Sequence, residues 1–309
     1  MRQALRTTIG VGSLLVALVL GLLPHPAEAT PTASVQPDRS MRDMHRDCSQ
    51  LPWCTPSYWA WQLQLSVHRR DRSEALAVAD HLLDLQQRDG RWGLGTPWGR
   101  MPIDFKERTA GDAESWEVAE VGLALLTLDD AFDVPAARVA ARRASRYLVA
   151  KVDRVKGAPY LAHMPDCNNL LQPHSTIAAA ALLDRFPRHR ALADRLRRSG
   201  KAMQWRRLEP LPGRTDLRQV RWGLAINDYE RIQVGHYLTL LGDRRGQRIL
   251  RTYRPATPTD SYRAQPYLVM LDVLAGRSAR AKTRARTIGD FTPVRAFDSA
   301  LANWLTLAR

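Results

Sequence analysis

The chain has 309 residues, 45% of them hydrophobic, and carries a formal charge of +15 from 46 Lys or Arg against 31 Asp or Glu. That apolar share excludes a disordered chain and is enough for one sizeable core. The basic balance excludes an acidic solvating segment and suits an anionic partner, although five lysines against 41 arginines is also what GC-rich coding produces on solvated helix faces.

In chain order, Arg2 and Arg6 lead into a 15-residue apolar run, Ile9 to Leu23, and then into Ala27-Glu28-Ala29, a small-x-small cleavage site. Residues 1–29 therefore read as a secretory signal peptide, with an uncleaved N-terminal anchor as the competing reading, and the expected address is secreted and extracellular. The run is shorter than the ~20 residues of a membrane-spanning helix, and no similar stretch follows, so no span is expected after cleavage. Residues 30–46, rich in Pro, Thr and Ser, read as a disordered leader, and 47–309 as the folded domain. Cys48 and Cys54 enclose five residues and read as a local disulfide suited to an oxidising compartment, with Cys167 left over as a buried thiol, a metal ligand or a link to another chain.

The rest is periodic at three- and four-residue spacing and predicts an all-α fold: 57–70, 73–88, 113–128, 135–152, 174–186, 189–206, 226–241, 244–252, 261–274 and 294–308. Ser73 and Asp112 are placed to cap their helices, and the stripe expected to be buried after Ser73 is Leu76, Val78, Leu82, Leu83 and Leu85. Gly90, Gly157, Gly200, Gly242 and Gly276 punctuate helix ends. The pattern is helix, short loop, helix, repeated about five times.

One repeat is well marked. Gln86 to Trp92, QQRDGRW, fits QxxxGxW with Leu82 four residues ahead, and a decayed echo follows in Tyr147, Leu148, Val152, Gly157 and Tyr160. Here the chain resembles the α/α-toroid superfamily of terpenoid cyclases and protein prenyltransferases, although His81 stands where that family has an aromatic. The resemblance implies an α/α toroid in which the Gln bonds backbone of a neighbouring helix and the Trp packs over the turn. It implies little about activity.

The chemistry of those enzymes is mostly missing. No DxDD cluster occurs; Asp129-Asp130-Ala131-Phe132-Asp133 matches the DDxxD of diphosphate enzymes, but the second site fails because Asn227-Asp228 is followed by Arg231 and Gly235. A zinc site on His163, Asp166, Cys167 and His174 has good ligand types, but Asp166 and Cys167 are adjacent where prenyltransferases keep them one residue apart, so no cofactor or metal is expected.

Other toroids act on polysaccharides, and export, charge and fold converge there. Asn168, Asn169 and His174, with Asn227, Tyr229, Arg231, His236 and Tyr237, are the residue types a lyase uses to neutralise a uronate, abstract its proton and protonate the leaving oxygen. A hydrolase instead needs two carboxylates, for which Asp112, Glu114 and Glu117 are candidates beside Trp92, Trp98 and Trp116 as sugar-stacking rings. Glu117 and Glu120 read as acids drawn to a helix start by its dipole. The expected function is lyase or hydrolase cleavage of an acidic extracellular carbohydrate. The rivals are a noncatalytic module docked on an anionic envelope polymer and a cyclase-like enzyme. Nucleic acid is not an expected partner, since no groove-reading motif accompanies the charge.

Overall fold

Helices 56–68, 115–132 and 173–184 are buried on every side except towards their C-terminal ends, and this sets the architecture, because a helix without a solvated face must sit between two layers of neighbours. The computed structural model describes residues 41–50, 54–95, 106–155, 157–167, 171–203, 228–253, 258–294 and 296–309. The signal-peptide reading and Trp98, Asn168, Asn169 and Asn227 lie outside the described residues.

Twelve helices are seen among the described residues: α1 (Met41–Gln50), α2 (Pro56–His68), α3 (Arg72–Leu85), α4 (Ser115–Phe132), α5 (Pro135–Ala150), α6 (Pro173–Asp184), α7 (Arg190–Ala202), α8 (Asp228–Leu240), α9 (Arg244–Thr252), α10 (Pro258–Leu274), α11 (Ser278–Thr287) and α12 (Ala296–Ala308). From α2 onward they form hairpins. The even-numbered helices make the inner ring: α2 packs on α4, α4 on α6, and so on to α12, which returns to α2. The Trp304 indole N–H donates to the Trp61 carbonyl at 3.2 Å across that closing contact, joining residues 243 apart. The odd-numbered helices α3 to α11 lie outside and bury only a stripe, such as Ala75, Val78, Ala79 and Leu82 on α3. Proline in the first turns of α2, α5 and α6 presets the helical φ where an N–H has no partner to lose. The chain is thus an all-α, closed α/α toroid.

The QxxxGxW segment ties one hairpin to the next. The Gln86 amide donates to the carbonyls of Gly90 (2.9 Å) and Ala140 on α5 (3.0 Å), and Trp92 donates to the Leu82 carbonyl at 2.7 Å. Gly90 has φ +100°, and a Cβ there would collide with the Arg143 carbonyl, so only glycine lets α5 approach this turn.

Several local expectations are corrected. The cap of α3 is Asp71, which accepts from the Glu74 N–H at 2.9 Å, rather than Ser73, and Leu85 is exposed. Gly200 lies inside α7, where its missing side chain admits Ile177 of α6. The echo around Gly157 forms a two-stranded ribbon, β1 (Asp153–Val155) and β2 (Ala158–Tyr160), instead of a helical repeat. Helix α1 begins within the stretch read as leader, and α11 was not anticipated because Ala281 and Ala285 are the residues it buries. Cys48 and Cys54 are bonded, with Cα atoms 5.0 Å apart.

Replacing Gly90 by alanine should cost about 3 kcal/mol, from positive φ together with the clash. Chemical denaturation should show this as a lower midpoint with an unchanged slope.

Candidate active site

The first turns of α2, α4, α6 and α8 converge at one end of the ring, and three glutamates at three-residue spacing line α4 there. Glu114 is the N-cap residue of α4, with no capping hydrogen bond of its own. Its carboxylate instead accepts from the Trp116 indole and lies 3.3 Å from His163 Nε2, whose Nδ1 is 3.3 Å from the Ser175 hydroxyl of α6. Burial alone would raise the Glu114 carboxyl, but the adjacent imidazole outweighs it and holds the acid below its usual range. His163 responds in the opposite sense: burial would lower it, and Glu114 raises it.

One turn on, Glu117 is 2% exposed and accepts from the Ser57 hydroxyl of α2 at 2.7 Å, with Thr55 2.7 Å behind that hydroxyl. Burial and the charge of Glu114 push its carboxyl up to about 8. Glu120 lies deepest. It accepts from Trp61 (3.2 Å) and Gln64 (3.0 Å) of α2 and from the Tyr237 hydroxyl of α8 (2.7 Å), and burial raises its pKa despite these donors. This end of the ring therefore carries one ionised acid beside one that keeps its proton at neutral pH, the division of protonation on which acid–base catalysis relies.

His174, in the first turn of α6, packs its ring 5.4 Å from His163 and 6.3 Å from Trp116. Burial and His163 keep it neutral, and its Nδ1 has no hydrogen-bond partner. Tyr229, opening α8, has ring contacts at 6.4 Å to Trp116, 6.5 Å to Trp61 and 5.2 Å to Tyr267. Glu114, Trp116, His174 and Tyr229 thus come together. His236 lies two turns further along α8 beside Tyr237 and Tyr267, with burial lowering it to about 4. Arg231 is on the exposed face of α8.

Other candidates serve the scaffold. Asp112 accepts from the Thr109 N–H (2.7 Å) and from Lys106 (3.0 Å); against its burial, these and Cys167 hold it at about 2. It closes the loop before α4 and does not cap the helix. Trp92 is enclosed at its hairpin turn. Asp166 faces Arg91 (2.6 Å), Lys151 (2.7 Å) and Tyr147 (3.0 Å), and Cys167 is buried with Leu94 and Met164. No group of three His, Cys, Asp or Glu is arranged to hold a metal among the described residues. The first two acids of the DDxxD segment pair with arginines, Asp129 with Arg138 and Asp130 with Arg138 and Arg185.

Sequence reasoning set Glu117 aside as an acid drawn to a helix start and missed Ser57 and His163 as carboxylate partners. The signal was present: three acids at i, i+3 and i+6 at the start of a helix whose middle turns are apolar lie on one side, and like charges there repel unless one keeps its proton.

No family model matches the sequence, and no curated protein matches it. Solved structures do. Endoglucanase Cel10 of Klebsiella pneumoniae, a family 8 glycosyl hydrolase, matches with a TM-score of 0.52 over 85% of this chain and 92% of its own at 14% identity. An α-amylase from Clostridium perfringens matches with a TM-score of 0.56 over 81% and 86% at 9% identity. At such identities the likeness establishes the fold: the chain is an α/α toroid with an acid-lined end.

Between pH 4.5 and 8 the folded chain keeps a Glu117 proton that the unfolded chain has released, so the contribution of Glu117 to stability falls as pH rises through this window, while His174 and His236, held neutral by burial, contribute in the opposite sense below about pH 6.5. Glu117→Gln should flatten that decline, with Glu120 and His163 leaving a residual slope. Urea denaturation of the wild type and the variant at pH 5 and pH 8 isolates the Glu117 contribution as the difference between their pH dependences, on the order of a few kcal/mol.

Proposed function

We propose that the protein is an exported glycoside hydrolase acting on an extracellular polysaccharide, with Glu117 as general acid and Glu114 as its ionised partner. The observation that carries this reading is the pair of neighbouring buried carboxyls with opposite protonation. Glu117 supplies a proton to the leaving glycosidic oxygen, and Glu114 acts at the anomeric carbon or on the attacking water. One helical turn separates them along α4. His163 and Trp116 fix the Glu114 carboxylate, and the half-buried Tyr229 ring offers stacking surface to a sugar. The fold shared with proteins named as an endoglucanase and an α-amylase supports a carbohydrate substrate. The basic lead, apolar run and Ala27-Glu28-Ala29 site support export.

A second reading has one observation in its favour. Neutral His174, with an unpartnered Nδ1, is a suitable base for a lyase, and the Tyr229 ring contacts the same Trp116.

A panel of neutral glucans and polyuronates separates the two. Hydrolysis releases reducing ends without ultraviolet-absorbing products, and Glu117→Gln and Glu114→Gln each lower kcat by about 10²- to 10⁴-fold. The wild-type rate should fall as pH rises past about 8, where Glu117 loses its proton. Unsaturated, absorbing ends whose formation is lost in His174→Ala would assign the lyase reading. Full activity in both Gln variants would remove the carboxylate pair from the chemistry.

A further inference from the structure

The excess positive charge is not spread as coding bias would spread it. Residues 41–186 hold 18 Lys or Arg against 19 Asp or Glu, whereas residues 187–309 hold 25 against ten. Much of the surplus lies on three outer helices, α7, α9 and α11. Helices α9 and α11 contain no acid, and the one acid of α7, Asp194, is engaged by Arg197 at 2.9 Å.

The bases on these helices fall into two groups. The half-buried ones stitch the wall together: Lys201 and Arg197 reach Asp243 at the start of α9, while Arg280 binds Asp272 of α10 at 2.8 Å and the Leu250 carbonyl of α9 at 3.1 Å. The exposed ones have no such task. Arg195 and Arg198 on α7, Arg248 and Arg251 on α9, and Lys282 and Arg286 on α11 are solvent-facing and make no ion pair among the described residues. Each pair is spaced i, i+3 or i, i+4 and so forms a ridge along its helix. Three neighbouring ridges of one sign repel each other, and a polyanion laid across them relieves that repulsion.

We propose that α7, α9 and α11 form a docking wall for a carboxylate-bearing polysaccharide, separate from the acid-lined end; it takes its carbohydrate class from the proposed hydrolase reading. Guanidinium forks match carboxylates two bonds at a time. The wall also lacks two features that strengthen binding to other anionic partners. The exposed large apolar residues Leu85, Val139, Leu240, Leu274, Val294 and Leu307 all lie off these helices, so nothing on them inserts into a lipid surface. Their sequences contain no aromatic residue for stacking on single-stranded bases. A polymer met through charge alone fits this face.

The test uses full-length Glu117→Gln protein to stop turnover, with fluorescent polygalacturonate as probe and a neutral glucan and duplex DNA as comparisons. Polygalacturonate should bind tightest, and more weakly as salt rises. Charge reversals by helix, Arg195→Glu with Arg198→Glu, Arg248→Glu with Arg251→Glu, and Lys282→Glu with Arg286→Glu, should each weaken binding about tenfold. Circular dichroism melting confirms folding, and in the Glu117-intact protein the same reversals should leave cleavage of short neutral oligosaccharides unchanged. Polygalacturonate bound no tighter than glucan or duplex DNA, or bound equally by folded reversal variants, overturns the wall. Binding that obeys these expectations in a protein that cleaves no glycan supports the wall while the hydrolase reading fails.

Discussion

One buried carboxyl, Glu120, is the constraint on which the toroid's interior depends. It sits on α4, accepts two hydrogen bonds from α2 and takes a third from Tyr237 of α8. Trp61, one of its α2 donors, offers its own carbonyl to Trp304 of α12, so a continuous chain of hydrogen bonds joins four of the six inner helices. A polar group this deep is costly unless its bonds are made. Once made, they discriminate sharply between this packing and any slipped arrangement of otherwise apolar helices. That Glu120 favours its proton follows from the same enclosure, since burial raises it even with three donors around it.

The acid-lined end uses this rigidity. Glu114 and Glu117 differ in environment rather than in chemistry. The first meets an imidazole and an indole N–H; the second meets a hydroxyl and the negative charge of the first. Their protonation is therefore coupled, and His163 acts on Glu117 through Glu114. The Ser57 hydroxyl that holds Glu117 belongs to the first turn of α2, just after the disulfide that closes residues 48–54, so the geometry of this acid is tied to the covalent entry into the domain.

Charge is divided between two uses in the same way. Arginines turned inward against Asp272 and Asp243 hold helices together, and those turned outward leave a basic wall. Only burial separates the two groups, because the residues alternate along the same helices. Counting arginines in the sequence could therefore expose the surplus but could not say which of them were already engaged.

The helical hairpins, the Gln86–Trp92 turn and the local disulfide were legible in the sequence because each rests on neighbours in the chain: a 3.6-residue period, a glycine at positive φ and two cysteines six positions apart. The acid pair was only half legible. Glu114 stood out near a loop, but Glu117 looked like an ordinary first-turn acid until α2 supplied Ser57 and enclosed it. His174 and Tyr229 were marked by residue type, yet their common partner Trp116 emerged from the packing of α4 between α6 and α8. By itself the sequence determined the period of the helices, the turns between them and the excess of positive charge, all of which are local or additive properties. Closure of the ring, the protonation of each buried acid and the sorting of arginines into bonded and free were decided by tertiary structure alone, because desolvation and long-range hydrogen bonds depend on which distant segments come to surround a side chain.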